Sequence, residues 1–534
     1  MRYSIEMVYF DDESYLHRLY LGYGINAIRK AMPLARVSTR FIDKSTCSID
    51  RVDTFDFIVI FLSLGRYEIF HEFCESLQDG ETVIVCHYVP TYLGRDILAE
   101  NPSVNFAVVG EFDITLKELL SALVRDEDFS TCKGIMYRHN NEVVYTGDRE
   151  LLADLDCLDY VERDNFRHSS DLFHIFASRG CEGNCTFCDR NALYFNGRCK
   201  QRFRSIDNII GEIDYLHDNY NCKFVNFSDS TFCGNHNVCQ RLNELYSKLV
   251  NRPYFVQFFI NMRAEQIDDN SIECLRKLTK VGLGKFFVGI ESFNQTDLDL
   301  YNKISAVSTN EKVIKIISDL NRHGEYDEYW LECEIGFIMF NPYTTIEQLE
   351  NNVSSLENNH ILLDTNIISS RLVCNYVQPL TAQVDRSGLL NVPISHMTLR
   401  EKTAFDLKYK FQDPIVEKIY NTIIECYRLL DIELPKNVVY VRNRYYKFFG
   451  CDKYLINLDD TYSEWTATMS SFCSRLIHEV ISSEKKHISS KQSAMDMCIN
   501  FKNDFLRVEK KLRTDIARAM ARLQRIGEAI YGER

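Results

Sequence analysis

The chain has no uninterrupted apolar segment long enough to span a bilayer. Its first residues, Met1-Arg2-Tyr3-Ser4-Ile5-Glu6, have no basic region leading into an apolar run and a small-residue cleavage site. Both absences argue against a membrane-spanning or exported protein and predict a cytoplasmic one. There are no repeats and no low-complexity linkers, and with 45% hydrophobic, 26% charged and 12% aromatic residues the composition excludes a fibrous or disordered chain. Positive charge is short: 62 Lys and Arg against 76 Asp and Glu leave a net charge of -14, which argues against a broad nucleic-acid surface and leaves room only for a local basic patch. The 19 cysteines are too scattered, in too large a chain, for the disulfide framework of a secreted scaffold.

A chain of 534 residues predicts more than one domain. Residues 1–150 alternate candidate strands (Ser4 to Phe10, Val37 to Ile42, Phe55 to Leu62, Thr82 to His87, Phe106 to Val109) with helical periodicity (Tyr15 to Met32, Arg66 to Leu77, Leu116 to Leu123), an α/β pattern that predicts a Rossmann-like domain. A linker at 151–170 leads to 171–390. There the strand candidates Phe173 to Ala177, Lys223 to Phe227, Phe255 to Ile260, Lys285 to Ile290, Glu332 to Phe340 and Asn366 to Val373 predict a partial (β/α)6 TIM-like barrel with its chemistry at the C-terminal strand ends. Residues 391–534 read as helical, ending in the amphipathic stripe Phe505, Val508, Leu512, Ile516, Ala519, Leu523, Ile526 and Ile530.

The most informative stretch is Arg179-Gly180-Cys181-Glu182-Gly183-Asn184-Cys185-Thr186-Phe187-Cys188-Asp189. Three thiolates in a C-x-x-x-C-x-x-C spacing, on a loop loosened by Gly180 and Gly183, can hold three irons of a cubane and leave the fourth without a protein ligand. Zinc is the rival ion, but a structural zinc site takes four ligands, usually from two C-x-x-C pairs, and a second pair is missing. Buried structural cysteines are the plain alternative.

This motif resembles that of the radical S-adenosylmethionine (SAM) superfamily. The resemblance implies a 4Fe-4S cluster on Cys181, Cys185 and Cys188, SAM on the open iron, and Phe187 against the adenine. It also implies reductive cleavage of SAM to a 5'-deoxyadenosyl radical that abstracts a substrate hydrogen, with an electron donor such as flavodoxin or ferredoxin. The domain order, with Val108-Val109-Gly110-Glu111, Thr115 and Gly134-Ile135-Met136-Tyr137-Arg138, is similar to that of members with an N-terminal cobalamin-binding domain. An ordinary strand-turn-helix is the other reading of these short phrases. The D-x-H-x-x-G motif of histidine-ligated cobalamin is absent. Cys86-His87-Tyr88-Val89-Pro90 stands where many members have two glycines that make room for the nucleotide tail, so cobalamin is left open, in a form without an axial histidine.

For SAM itself, the resemblance points to Ser228 and Asp229 after the second barrel strand, Asp229 facing the amino group, with a loop-capping turn as the alternative. Arg263 after the third strand is a candidate for the methionine carboxylate or a surface ion pair. Glu291 and Ser292 in Gly289-Ile290-Glu291-Ser292 are candidates for the ribose or methionine end. Gly336, in Ile335-Gly336-Phe337-Ile338-Met339-Phe340, lies on the strand expected to flank the adenine, or is plain barrel core.

Cys374, after the sixth strand, resembles the hydrogen donor of proteusin-type peptide epimerases. That reading gives Cα epimerisation of residues in a ribosomally made peptide, and a buried cysteine is its alternative. Cys199, Cys222, Cys233 and Cys239 are rival donors or a second metal site. The competing enzyme reading is a cobalamin-dependent radical C-methyltransferase, and the non-enzyme reading, an inert metal-bearing scaffold, would suit a chain that had lost a cluster cysteine; this one keeps all three. The substrate, peptide or small molecule, is not written in the motif.

Overall fold

A computed structural model describes the chain apart from residues 1–2, 11–14, 43–52, 141, 162, 164–171, 191–200, 322–327, 433–436 and 528–534. It divides into two compact units that interleave along the sequence: the first takes 1–169, 174–205 and 373–408, the second 170–173, 206–372 and 409–534.

The first unit is built on a seven-stranded sheet of order β2-β1-β3-β4-β5-β6-β7. β1 (Ser4–Tyr9), β2 (Arg36–Phe41), β3 (Phe57–Phe61), β4 (Thr82–Cys86) and β5 (Phe106–Val108) run parallel; β6 (Ile135–His139) and β7 (Glu142–Tyr145) add an antiparallel hairpin. β3 (FIVIF) is buried at every position, as expected of a parallel strand covered on both faces. Each such side chain contributes roughly 1.5–3 kcal/mol.

One covering layer contains helices Tyr15–Ala31 and Phe112–Arg125, whose Leu21, Ile25, Leu116 and Leu120 pack on Met7, Val59 and Ile84. The other contains Tyr67–Glu75 and Tyr88–Glu100, whose Phe70, Phe73 and Ile97 pack on Val8, Ile60 and Val85. The segment 373–408 is fastened here as well. Leu399 joins the second layer, Lys402 Nζ lies 2.9 Å from Asp96, and the Gly65 N–H donates to the Thr403 carbonyl at 2.6 Å.

The second unit contains a sheet of order β14-β13-β12-β11-β8, from β8 (Leu172–Ile175, its first two residues in this unit), β11 (Phe224–Phe227), β12 (Gln257–Arg263), β13 (Leu283–Glu291) and β14 (Glu332–Phe337). The paired strands β11 to β14 are parallel. The two intervening short strands, β9 (Ser178–Arg179) and β10 (Arg202–Phe203), form an antiparallel ribbon in the first unit.

The predicted sixth barrel strand is reduced to one parallel bridge, Phe340 to Arg371. Its first half is a helical turn, Thr365–Ser369, because the Asp364 side chain accepts from the Ile367 N–H at 2.8 Å and caps it.

Helix Val438–Phe449, buried from Val438 to Tyr445, closes the N-terminal ends of these strands. Gly284 leaves room for it: a Cβ there would lie 2.7 Å from the Tyr440 ring. Gln257 Nε2 donates to the Tyr440 carbonyl at 2.9 Å, and Asn443 exchanges hydrogen bonds of 2.8 and 2.7 Å with the Trp330 backbone. Arg442, fully buried, pairs with Asp459 at 3.2 Å and lies 4.5 Å over the Trp330 ring. Helices Pro414–Leu430, Lys453–Lys485 and Lys491–Arg525 complete the helical C-terminal region.

At Gly282 the chain turns into β13 with φ +125°, and a Cβ would lie 2.1 Å from the Val256 carbonyl oxygen. Backbone cannot yield as a side chain does, so Gly282→Ala is expected to cost about 2–4 kcal/mol. A melting temperature equal to that of the unsubstituted protein would refute the close approach.

Candidate functional site

Ribbon β9–β10 presents the cysteine loop in the first unit. The chain leaves β9 through Gly180, φ +87°, a conformation that favours glycine. Cys181, Cys185 and Cys188 are half-exposed, whereas Cys86, Cys233, Cys333 and Cys374 are buried. The Gly183 N–H donates to Cys181 Sγ at 3.3 Å, a bond of the kind that tunes an iron-sulfur ligand, and the Cys188 N–H donates to the Cys185 carbonyl at 3.2 Å.

Burial pushes the Cys188 thiol up; the Arg190 N–H opposes this, and the charges of Asp189 and Cys181 add to it. Cys181 and Cys188 thus sense one another. Among the described residues no three His, Cys, Asp or Glu side chains converge on a single-ion site. A cubane places each thiolate on a different iron, a donor set that Cys181, Cys185 and Cys188 would supply. Phe187 is half-buried in the turn before Cys188.

Two arginines fasten the loop to the strand ends of the first sheet. Arg179 makes a two-pronged contact with Asp113, at 2.7 and 3.0 Å, and lies 3.6 Å from Glu111. Arg202 makes a second with Glu111, at 2.6 and 3.1 Å. Burial opposes the charge on Arg179, but Asp113 and Glu111 outweigh it and hold the group above its usual range. Thr115 sits in the first turn of helix Phe112–Arg125, and its hydroxyl accepts from Arg149 Nε at 2.8 Å.

Beside this anchor, β4 is followed by His87, whose φ of 87° and ψ of -143° are glycine-like. The His87 ring packs edge-on at 4.3 Å against Tyr20 and 6.2 Å from Tyr9. Burial raises the Tyr88 phenol, with the adjacent Asp189 carboxylate adding to it, and Asn375 Nδ2 donates to Asp189 at 3.3 Å. Residues following β4 therefore meet the cysteine loop directly.

In the strand order β2-β1-β3, the β1/β3 crevice is the switch point where such sheets take ligands. Here it is bridged by Tyr9 Oη and Ser63 Oγ at 2.6 Å, and Gly24 brings its helix so close that a Cβ would lie 2.6 Å from Phe61. These residues do not fit a nucleotide tail threaded between the strands. His87 and buried Tyr88 stand at the same strand ends.

The remaining expected residues belong to the second unit, apart from Cys374. Ser228 and buried Asp229 follow β11, and Asn261 Nδ2 donates to the Asp229 carbonyl at 2.7 Å. Arg263, the last residue of β12, pairs with Glu265 two residues on. Glu291 ends β13 with φ +68°; burial raises its carboxyl, and Lys303, 3.8 Å away, opposes the rise. Ser292 is buried, donating to Asp297 at 2.7 Å beside Asn352 at 3.2 Å. Gly336 admits the half-buried Phe287 ring, which a Cβ would meet at 2.5 Å.

Cys374, in the first unit, is fully buried, and its carbonyl accepts from the Leu407 N–H at 2.7 Å. Cys222 and Cys233 are buried, Cys239 is half-buried, and Cys199 lies outside the described residues. Sequence reasoning missed the Arg179–Asp113 anchor, Lys303 and the Asp189–Asn375 contact; the only local signal was the Gly110-Glu111 pair.

Residues 175–354 match the Radical SAM superfamily model, so the chain carries a radical SAM domain, which implies a 4Fe-4S cluster and SAM. It is 24% identical over 43% of its length to the anaerobic magnesium-protoporphyrin IX monomethyl ester cyclase of Synechocystis sp., covering 46% of that protein. The chain spans about half the length of the curated relatives it matches. Its fold is similar to that of OxsB, a cobalamin-dependent S-adenosylmethionine radical enzyme, with a TM-score of 0.68 at 16% identity, over 97% of this chain and 84% of that one. It is also similar to the radical S-adenosylmethionine methyltransferase TsrM from Kitasatospora setae, with a TM-score of 0.57 at 12% identity, over 82% of this chain and 90% of that one.

Asp113→Ala would leave buried Arg179 with only the longer contact to Glu111, at 3.6 Å, at a cost of about 2–3 kcal/mol. The expected outcome is a lower melting temperature together with less iron and sulfide retained after anaerobic reconstitution. Full cluster content in that variant would show that the anchor does not hold the loop.

Proposed function

We propose that this radical SAM enzyme works with cobalamin and transfers a methyl group to a carbon of a peptide or small-molecule substrate. The observation that carries this reading is that the cysteine loop and the strand ends of the Rossmann-like sheet form one compact unit, joined by Arg179, Arg202, Asp113 and Glu111. A ligand lying on those strand ends, against His87 and Tyr88, would sit beside the cluster ligands.

A cluster held by Cys181, Cys185 and Cys188 would supply reducing power for SAM cleavage, and a corrinoid against His87 and Tyr88 would supply methyl-transfer chemistry. The chain's own part is to hold the three thiolates, to shield Cys188 through Tyr88, Asp189 and Asn375, and to present an aromatic floor without a nucleotide slot. The similarity of fold to OxsB and TsrM favours this reading over peptide epimerisation, for which Cys374 would have to act from a fully buried position.

Anaerobic reconstitution with iron, sulfide and cobalamin tests it. The expected result is stoichiometric retained corrinoid and, with substrate present, both S-adenosylhomocysteine and 5'-deoxyadenosine. A cluster that cleaves SAM while retaining no corrinoid would overturn the proposal and return attention to Cys374, through Cys374→Ala and deuterium uptake from heavy water.

A further inference from the structure

At the N-terminal ends of the barrel strands, opposite the ends where barrel chemistry is expected, the second unit has a cavity of about 220 Å³. Lys223 reaches it from the residue before β11, Arg252 from the segment before β12, and Arg444 and Lys447 from helix Val438–Phe449. Its lining therefore carries four cations and no carboxylate, in a chain whose acids outnumber its bases.

Arg252 is engaged from outside the cavity by Asp214, at 2.9 and 2.8 Å. Arg444 is 1% exposed; its guanidinium lies 6.0 Å from the centroid of the Phe255 ring, and the Lys447 ammonium lies 5.7 Å from the same ring. His217 stacks on Tyr254 at 4.3 Å along one side and is itself 3.0 Å from Asp218.

A bland account covers part of this. A cation in the last turn of a helix is favoured by the backbone carbonyls, and a shared aromatic face attracts both charges. That explains Lys447. It does not explain why the loops before two adjacent strands add Lys223 and Arg252 to the same cavity, where like charges repel.

We propose that this basal cavity binds a small phosphate-bearing anion, whose oxygens are met by the guanidinium of Arg444 and the ammonium groups of Lys223 and Lys447. Enclosure and size favour a phosphoryl group of a small molecule over a nucleic-acid backbone, which the net charge of the chain also disfavours. The site stands independently of the function proposed above.

The test is calorimetric titration of the full chain with inorganic phosphate and, separately, with AMP, at low salt. The expected result is one saturable site per chain, weakened tenfold or more in Lys447→Glu, whose exposed position leaves the melting temperature unchanged, and likewise in Lys223→Ala. Tighter binding of AMP would identify a nucleotide as the source of the phosphoryl group, and equal affinity would identify phosphate alone. Absence of saturable binding by either, binding untouched by Lys447→Glu, or tighter binding of a single-stranded oligonucleotide than of AMP would overturn the proposal.

Discussion

The two-pronged contact between Arg179 and Asp113 is the constraint on which the first unit depends. A loop of irregular backbone has little of its own to hold three thiolates in place. Here it enters through an arginine whose charge is satisfied by acids projecting from the end of β5 and the helix after it. Removing a guanidinium from water is costly unless carboxylates meet it closely, and that condition fixes the loop against one edge of the sheet. Arg202 repeats the arrangement on the returning strand of the ribbon.

The same strand ends carry a strained turn and a closed crevice. His87 keeps a glycine-like backbone conformation and fills the space with an imidazole packed on Tyr20. Tyr9 and Ser63 close the crevice between β1 and β3, and the close helix at Gly24 leaves no slot beneath it. A flat ligand lying on this edge is compatible with these contacts, and a threaded one is not. In the second unit the opposite economy holds: helix Val438–Phe449 seals the N-terminal ends of β11 to β14 with Tyr440, Arg442 and Asn443, and its last turns supply Arg444 and Lys447 to the basal cavity.

The parallel strands of the first unit were legible because continuous runs such as Phe57–Phe61 and Thr82–Cys86 carry burial on both faces in their composition. The cysteine spacing was legible because the cluster demands it locally. Helix Tyr88–Glu100 was hidden behind Pro90, which a first turn tolerates, and the β6–β7 hairpin behind polar positions such as the half-buried Arg138 and exposed His139. The sixth barrel strand failed as a strand because Asp364 caps a helical turn, a contact that hydrophobic pattern does not weigh. The Arg179–Asp113 anchor joins residues 66 positions apart, and pairing at that range leaves no spacing to read. Ser292 reads as a polar strand-end residue, yet its hydroxyl is engaged by Asp297, a partner fixed only by the fold.

On the proposed function, the cysteine loop and a corrinoid on the strand ends of the first sheet would be neighbours. Electron paramagnetic resonance of protein carrying both a reduced cluster and cob(II)alamin tests it most directly. The account predicts that each signal is broadened or split by the spin of the other. Two unperturbed signals, with corrinoid demonstrably bound, would contradict it.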